Sequence, residues 1–249
     1  MDSAPQFVAA NSFGVKLVVV DAERGLRILL NDAARHGIQS TDPARRDEPL
    51  AYYHRSGPLG DVFAAWHGAD AKAQVAIIGL GVGAMAAYAE PGQHFTFYEI
   101  DPMVADIAGD PKYFTFLTRC RGTYEIVLGD GLDGLARAPD GHYGMILLDA
   151  FTSDRIPTHL LSRQALDAYL SKLDDGGVLV FHISNVHQEL EPALGGLAAE
   201  RALACLVRAD LNIDEADRSV GKLPSHYLVM ARRPEGLRRL AENGRWRSP

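Results

Sequence analysis

The hydrophobic pattern of the chain changes once. In the first part, residues 16–20 and 26–30 are short apolar runs joined by a polar turn that ends in glycine, and they predict two β-strands. Residues 31–58 are polar and interrupted by prolines, so we expect an irregular stretch there. Residues 61–67 follow as a short amphipathic helix.

From residue 74 onward, apolar runs bounded by glycines alternate with segments of helical spacing. The predicted strands are residues 75–78, 95–99, 125–128, 145–148, 178–183, 205–208 and 227–231. The predicted helical segments are residues 83–89, 102–108, a short one after Asp130, 163–173 and 192–201. This alternation predicts an α/β fold, a doubly wound and mostly parallel sheet with helices on both faces.

Composition limits the class of protein and its partners. The chain has 249 residues, 47% of them hydrophobic, which suits a main domain with a small second one. The formal net charge of −7 argues against binding to nucleic acid. No signal peptide and no run of about 18 apolar residues is present, so we expect a cytoplasmic protein without membrane association.

The cysteines and histidines give no metal-binding pattern. Cys120 and Cys205 are too far apart for a ligand spacing or a disulfide framework, and we expect two buried, reduced thiols. His182 and His187 have no partner at ligand spacing and are interpreted as structural. The sequence therefore predicts no metal and no tightly bound cofactor.

Ligands of doubly wound sheets bind beyond the carboxyl ends of the strands. The first strand is followed by Gly79-Leu80-Gly81-Val82-Gly83, whose glycines allow a sharp turn close to a ligand, and the next helix offers its amide end. Glu99 ends the second strand, where a carboxylate accepts hydrogen bonds from ribose hydroxyls. A dinucleotide fingerprint and a tight turn without ligand are the alternatives for this loop.

Carboxylates also follow the third and fourth strands. Asp130, in Gly129-Asp130-Gly131, can contact an adenine amino group or cap the next helix, and both interpretations stay open. Asp149 and Asp154 belong to Asp149-Ala150-Phe151-Thr152-Ser153-Asp154, and a pair of carboxylates there suits an amine. A dehydrogenase needs no acid at each strand end, so this repetition favours an adenosyl-binding transferase over a nicotinamide enzyme.

Together these motifs resemble the polyamine aminopropyltransferases, the spermidine synthase family, and especially bacterial spermidine synthase-like domains related to a transporter-fused branch. The residues that carry the resemblance are these loops, Tyr98-Glu99-Ile100-Asp101 and residues 36–40, 52–60 and 181–185. The resemblance implies a small N-terminal β-rich domain over residues 1–60. It also implies a nucleotide-binding α/β domain of the S-adenosylmethionine-dependent methyltransferase type over residues 61–249, and a homodimer.

The resemblance further implies a reaction and its donor site. An amine attacks the carbon beside the sulfonium of decarboxylated S-adenosylmethionine, the aminopropyl group moves, and methylthioadenosine leaves. Gln39 and His54 would contact the donor, Glu99 its ribose and Asp130 its adenine. A buried histidine with satisfied hydrogen bonds is the alternative for His54.

The acceptor implied by the resemblance is a small-molecule amine. Asp149 would take the amine proton, Asp154 would hold the far amine, and Tyr53 would line the same site, with a place in the core as the alternative for Tyr53. Alkyl ammonium groups have pKa values of about 10, so the attacking nitrogen has to lose a proton.

The chain departs from the family pattern at three positions. The aspartate expected inside the glycine loop is replaced by Val82 or its neighbour Leu80, and an apolar side chain cannot pair with the ammonium of the donor. Arg155 follows Asp154 where a proline is usual, and Arg55 replaces an expected glutamate.

Two other functions therefore stay open. One is a methyltransferase that uses intact S-adenosylmethionine, in which the two arginines would meet a carboxylate. The other is a non-catalytic module that binds adenosyl nucleosides and releases no product.

Overall fold

The computed structural model describes residues 5–32, 34–151, 156–184 and 189–249. Its first sheet is antiparallel, in the strand order β1-β2-β3-β4. These strands are β1 Phe7–Asn11, β2 Gly14–Asp21, β3 Leu26–Asn31 and β4 Ala34–Ser40. The two strands predicted here are confirmed as β2 and β3. The expected irregular stretch is wrong over β4, because β4 pairs with β3 although its side chains do not alternate between polar and apolar.

The second sheet has seven strands in the order β10-β11-β9-β8-β5-β6-β7. They are β5 Gln74–Ile78, β6 His94–Glu99, β7 Thr123–Leu128, β8 Tyr143–Leu148, β9 Leu173–His182, β10 Ala204–Asp210 and β11 Ser225–Ala231. Strands β5 to β9 are mutually parallel. Strand β11 runs antiparallel to both of its neighbours, β9 and β10. The predicted α/β class with a mostly parallel sheet and a small N-terminal β-part is confirmed.

The α-helices are α1 Pro58–Ala65, α2 Pro102–Gly109, α3 Gly131–Ala136, α4 Arg163–Lys172, α5 Leu190–Glu200, α6 Glu215–Ser219 and α7 Arg238–Glu242. Helices α2 to α6 connect strands of this second sheet, whereas α1 precedes β5 and α7 follows β11. None of the helices within the described ranges is long and apolar enough to cross a membrane. Cys120 and Cys205 are free and only partly buried, so their expected full burial is wrong.

The segment after the glycine loop is helical, as predicted, but it is a 3-10 helix, Ala84–Tyr88. It follows Gly83, which adopts a left-handed conformation with φ of 76°. The segment is held inside the core, because the Tyr88 ring stacks on Phe63 at 4.3 Å and its hydroxyl donates to the Tyr53 carbonyl.

The core lies on both faces of the second sheet. Alternate residues of each central strand enter opposite clusters, as in β5, where Ile77 belongs to one cluster and Ile78 to the other. This two-sided burial is typical of parallel strands covered on both faces. Val18 and Leu29 of the first sheet join the cluster that contains Ile77, so the small sheet packs on that face.

The strand register creates one row of residues at the carboxyl edge of the second sheet. Phe181 pairs with Leu148, Leu148 with Ile78, and Ile78 with Tyr98. The residues that follow, one on each strand, are His182, Asp149, Gly79 and Glu99. Because side chains alternate along a strand, this row faces the side on which the small sheet packs.

Candidate active site

A cavity of about 440 Å³ opens at this row, between the two sheets. Most of the predicted site residues line it, and these are Tyr53, Gly79, Gly81, Glu99, Asp130, Gly131 and Asp149. Other parts of its wall come from the small sheet, including Asn31, Arg35 and His36. The cavity therefore joins the two sheets, and its polar groups come largely from strand ends.

The glycine loop forms one side of the cavity because two of its positions exclude a side chain. A Cβ at Gly79, whose φ is 101°, would lie 2.4 Å from the Asp149 carbonyl oxygen. A Cβ at Gly81, whose φ is 54°, would lie 2.6 Å from the carbonyl oxygen of His36. The loop is thus pressed between strand β8 and the small sheet. Gly83, in contrast, faces Leu117 and lies outside the cavity wall.

The structure also separates the two candidates for the missing loop aspartate. The Leu80 side chain lines the cavity, whereas Val82 is buried against Gly37 of the small sheet. The apolar residue in the wall is therefore Leu80. Its backbone N–H donates to Glu99, and its side chain offers no charge to a ligand at this point.

Glu99 is buried at the cavity wall and held by backbone groups. Its Oε2 accepts a hydrogen bond from the Leu80 N–H at 2.9 Å, and its Oε1 accepts one from the Asp101 N–H at 2.9 Å. Burial raises the pKa of Glu99, and these two N–H groups oppose the rise. The Ile100 N–H is a third backbone donor to this carboxylate, and the acceptor capacity that remains suits a ribose hydroxyl.

Asp101 caps α2, as expected, and is also part of a buried polar cluster. Its side chain accepts from the Met103 N–H, and its Oδ2 lies 2.5 Å from Lys16 Nζ. Asn11 donates to the same carboxylate at 2.6 Å. The ion pair with Lys16 therefore balances the charge of a carboxylate at the cavity wall. The sequence alone did not indicate this pair.

Asp130 is a helix cap at the cavity wall. Its Oδ1 accepts from the N–H groups of Leu132 and Asp133, while Oδ2 lies 3.0 Å from His159 Nε2. Partial burial raises the pKa of Asp130, but the hydrogen bonds from Asp133, His159 and Leu132 outweigh burial and lower it. The capping interpretation holds, and an adenine contact would have to use the remaining lone pair on Oδ2.

Asp149 is the centre of a hydrogen-bonded group. The Tyr53 hydroxyl donates to Asp149 Oδ2 at 2.7 Å, and His182 Nδ1 lies 2.5 Å from Oδ1. Burial, and then the charge of Asp149, raise the pKa of Tyr53 well above its ordinary value, so the phenol stays protonated. Asp149 is thereby left as the ionisable group of this pair that can take a proton.

His182 corrects the interpretation drawn from the sequence. It was expected to be merely structural, yet it contacts the carboxylate that is the strongest candidate for chemistry. The sequence interpretation rested on the lack of a partner at metal-ligand spacing, which does not detect a carboxylate on a neighbouring strand. The strand ends at His182, which is the member of the strand-end row next to Asp149.

Gln39 does not reach the cavity, contrary to expectation. Its side chain is buried and its amide is engaged, because Nε2 donates to the Arg46 carbonyl and to Thr115 Oγ1, and Oε1 accepts from the Thr115 N–H. The residue thus joins β4 to the segment after α2.

His54 and Arg55 also lie away from the cavity wall. His54 Nδ1 contacts Ser56 Oγ at 2.9 Å, and burial, followed by the charge of Lys222, lowers the pKa of the ring. Arg55 donates to the Ala87 carbonyl and lies over the Tyr88 ring at 4.8 Å. The structure therefore places neither residue at the cavity wall.

Three further positions that the sequence singled out lie outside the described residues. They are Asp154, Arg155 and His187.

Comparison with known proteins places these observations in a family context. No family model matches the sequence. A polyamine aminopropyltransferase of Vibrio vulnificus (strain CMCP6) is 38% identical over 112 residues, which is 43% of this chain and 36% of the relative. The matched part thus spans little more than a third of that relative's length.

Two solved structures share the fold. Spermidine synthase from Thermotoga maritima has a TM-score of 0.64 at 13% identity, covering 94% of this chain and 75% of that one. A spermidine synthase in complex with the transition state analogue AdoDATO has a TM-score of 0.62 at 12% identity, covering 94% and 74%. The resemblance to the spermidine synthase family is confirmed.

Proposed function

We propose that this protein is a spermidine synthase-like transferase that moves an aminopropyl group from decarboxylated S-adenosylmethionine to a small-molecule amine. The observation that carries the proposal is the contact between Tyr53 and Asp149 in a cavity whose same row of strand ends supplies Glu99. The carboxylate proposed to bind the nucleoside and the carboxylate proposed to take the proton thus lie on either side of the glycine loop. The resemblance to a curated aminopropyltransferase supports the same reaction.

In the proposed reaction, each group has a separate task. Glu99 binds the ribose hydroxyls of the donor through its remaining acceptor capacity, beside the glycine loop. Asp149 takes one proton from the ammonium group of the acceptor, and the freed nitrogen attacks the carbon next to the sulfonium. A C–N bond forms, the C–S bond pair stays on sulfur, and neutral methylthioadenosine leaves. Orientation of the amine against this carbon supplies much of the rate.

Leu80 favours a second candidate function. An aminopropyl donor carries a terminal ammonium, and a charged group left desolvated beside an apolar side chain without a partner is costly. Asp101 is paired with Lys16, so its charge is already balanced, and two N–H groups and His159 already contact the Asp130 carboxylate. In intact S-adenosylmethionine the ammonium shares its carbon with a carboxylate, which balances the charge within the ligand. A methyltransferase is therefore the alternative.

A product assay by mass spectrometry tests both proposals. Purified protein is incubated with decarboxylated or intact S-adenosylmethionine, each with a mixed panel of mono-, di- and triamines. Methylthioadenosine that forms only with the decarboxylated donor and an amine supports aminopropyl transfer. S-adenosylhomocysteine from the intact donor supports the methyltransferase instead. If neither forms while calorimetry detects nucleoside binding, both transfer proposals fail for this panel and a binding module is favoured.

The Asp149→Asn variant is the matched control for this assay. It keeps the size of the side chain and removes the proton acceptor. A product that forms equally well with this variant would not come from the proposed chemistry.

A further inference from the structure

The Asp149 carboxylate is fixed from the side opposite Tyr53 by a chain of three hydrogen-bonding groups. His182 Nδ1 lies 2.5 Å from Asp149 Oδ1, and His182 Nε2 lies 2.7 Å from Ser184 Oγ. The same Oγ accepts the backbone N–H of His226 at 2.7 Å. Ser184 and His226 are therefore connected to Asp149 through one imidazole ring.

These contacts determine which ring nitrogen carries the proton. An ionised carboxylate is an acceptor only, so the nitrogen that faces Asp149 has to be a donor. Ser184 Oγ accepts from His226 and has one proton of its own, which it can donate to His182 Nε2. The arrangement is satisfied when Nδ1 is protonated and Nε2 accepts from Ser184, as second groups commonly set the tautomer of a histidine.

The ring is also prevented from turning. Tyr227 stacks on it at 4.6 Å with an interplanar angle of 11°, and Tyr52 and Phe151 lie against it at 5.1 and 4.9 Å. His182 is only 2% exposed. A ring clamped by aromatic side chains holds its hydrogen bonds in one direction, as a residue that orients a reactive group must.

We propose that His182 is a positioning residue for the transfer: its Nδ1–H, fixed by Ser184, holds Asp149 so that a free lone pair meets the incoming amine. The inference rests on the proposed function. In the transfer step, Asp149 takes the ammonium proton, the C–N bond forms, and the C–S bond pair leaves with sulfur. Asp149 then releases the proton to water, while His182 keeps its own proton throughout.

Two substitutions at this position separate positioning from packing. In His182→Asn, the amide nitrogen occupies the place of Nδ1 and still donates to Asp149, whereas His182→Leu fills the space without a donor. We expect His182→Leu to lower kcat about 10- to 100-fold, the range typical of lost supporting hydrogen bonds. His182→Asn should retain most of kcat, and the KM for the donor should be unchanged in both variants.

Ser184→Ala tests the second link, and the chain contains a matched control. His54 and Ser56 form another His–Ser contact two residues apart, but they lie outside the cavity wall. We expect Ser184→Ala to lower kcat and Ser56→Ala to leave it unchanged. Thermal unfolding of all four variants checks that the fold is retained.

Nitrogen NMR of the histidine rings determines the tautomer of His182 and does not depend on enzymatic activity. The signal of His182 is identified by its loss in His182→Asn, and we expect Nδ1 to carry a bonded proton in the ligand-free protein. A signal that shows Nδ1 unprotonated would overturn the inference. Equal losses of kcat in the Asn and Leu variants, with equal unfolding temperatures, would overturn it as well.

Failure of the proposed function has a different signature. In that case the wild-type protein itself forms no methylthioadenosine. Failure of this inference instead leaves wild-type turnover intact, and kcat does not depend on whether residue 182 donates a hydrogen bond.

Discussion

Glu99→Gln is the substitution that most directly tests how the nucleoside site is built. The carboxylate accepts one backbone N–H on each oxygen, from Leu80 and from Asp101, both at 2.9 Å. Glutamine has nearly the same shape but only one acceptor oxygen. One of the two N–H groups would then face an amide NH₂, and one acceptor for the ribose diol would become a donor.

The magnitude follows from the number of bonds lost. A hydrogen bond to a charged group contributes about 1.5–3 kcal/mol. The loss of one such bond to a ribose hydroxyl corresponds to a Kd about 10- to 100-fold higher, since about 1.4 kcal/mol is a factor of ten. Calorimetric titration with methylthioadenosine measures this directly, because that nucleoside carries the ribose whichever donor the protein uses.

Glu125→Gln is the matched control. Glu125 lies on β7 and accepts a side-chain hydrogen bond from Thr96, but it does not line the cavity. We expect its methylthioadenosine affinity to equal that of the wild type. If Glu99→Gln also binds with wild-type affinity while its unfolding temperature is unchanged, Glu99 does not contact the ribose and the proposed nucleoside site is wrong.

Three further predictions follow from the same contacts. Asp149→Asn should lower turnover about 10²- to 10⁴-fold, the range for lost proton transfer, with methylthioadenosine affinity nearly intact; retained turnover would exclude Asp149 as the proton acceptor. Lys16→Met leaves the buried Asp101 without its cation and should lower the free energy of unfolding by about 3–5 kcal/mol in urea titrations; a loss below about 1 kcal/mol would contradict the role of the pair. Burial raises the pKa of Glu99 above its ordinary 4.5, so its ionised form is lost at higher pH than in a free glutamate, and methylthioadenosine affinity should fall as pH drops through that raised pKa. A pH series in which Glu99→Gln shows the same fall would assign the effect to another group.

The parallel sheet was predictable from the sequence because its central strands are buried on both faces and form short apolar runs. The fourth strand of the small sheet was not. In β4 the buried positions include Gly37 and Gln39, so no apolar alternation marks it. Its stability as a strand comes from pairing with β3 and from contacts such as that of Gly37 with Val82, which are distant in sequence.

The same reason explains why the sequence did not indicate that Gln39 and His54 lie away from the cavity wall. A resemblance assigns a role to a residue from its type and its position in the sequence. The side chains around that residue determine which hydrogen bonds it makes. Gln39 meets Thr115, seventy-six positions away in sequence, and that contact engages its amide. Residue type could not indicate that partner, whereas Glu99 and Asp149 follow apolar runs that mark their strand ends directly.

The position of His182 shows what a sequence needs before it can predict a site of this kind. Asp149 and His182 are neighbours because Leu148 pairs with Phe181, and Glu99 belongs to the same row because Tyr98 pairs with Ile78. In a hairpin the turn fixes such a register, but parallel strands are joined through helices whose length leaves it free. Strand periodicity alone shows that residues 178, 180 and 182 share a face. Which strand end lies beside His182 is decided only when the sheet packs, and that pairing makes the histidine a partner of Asp149.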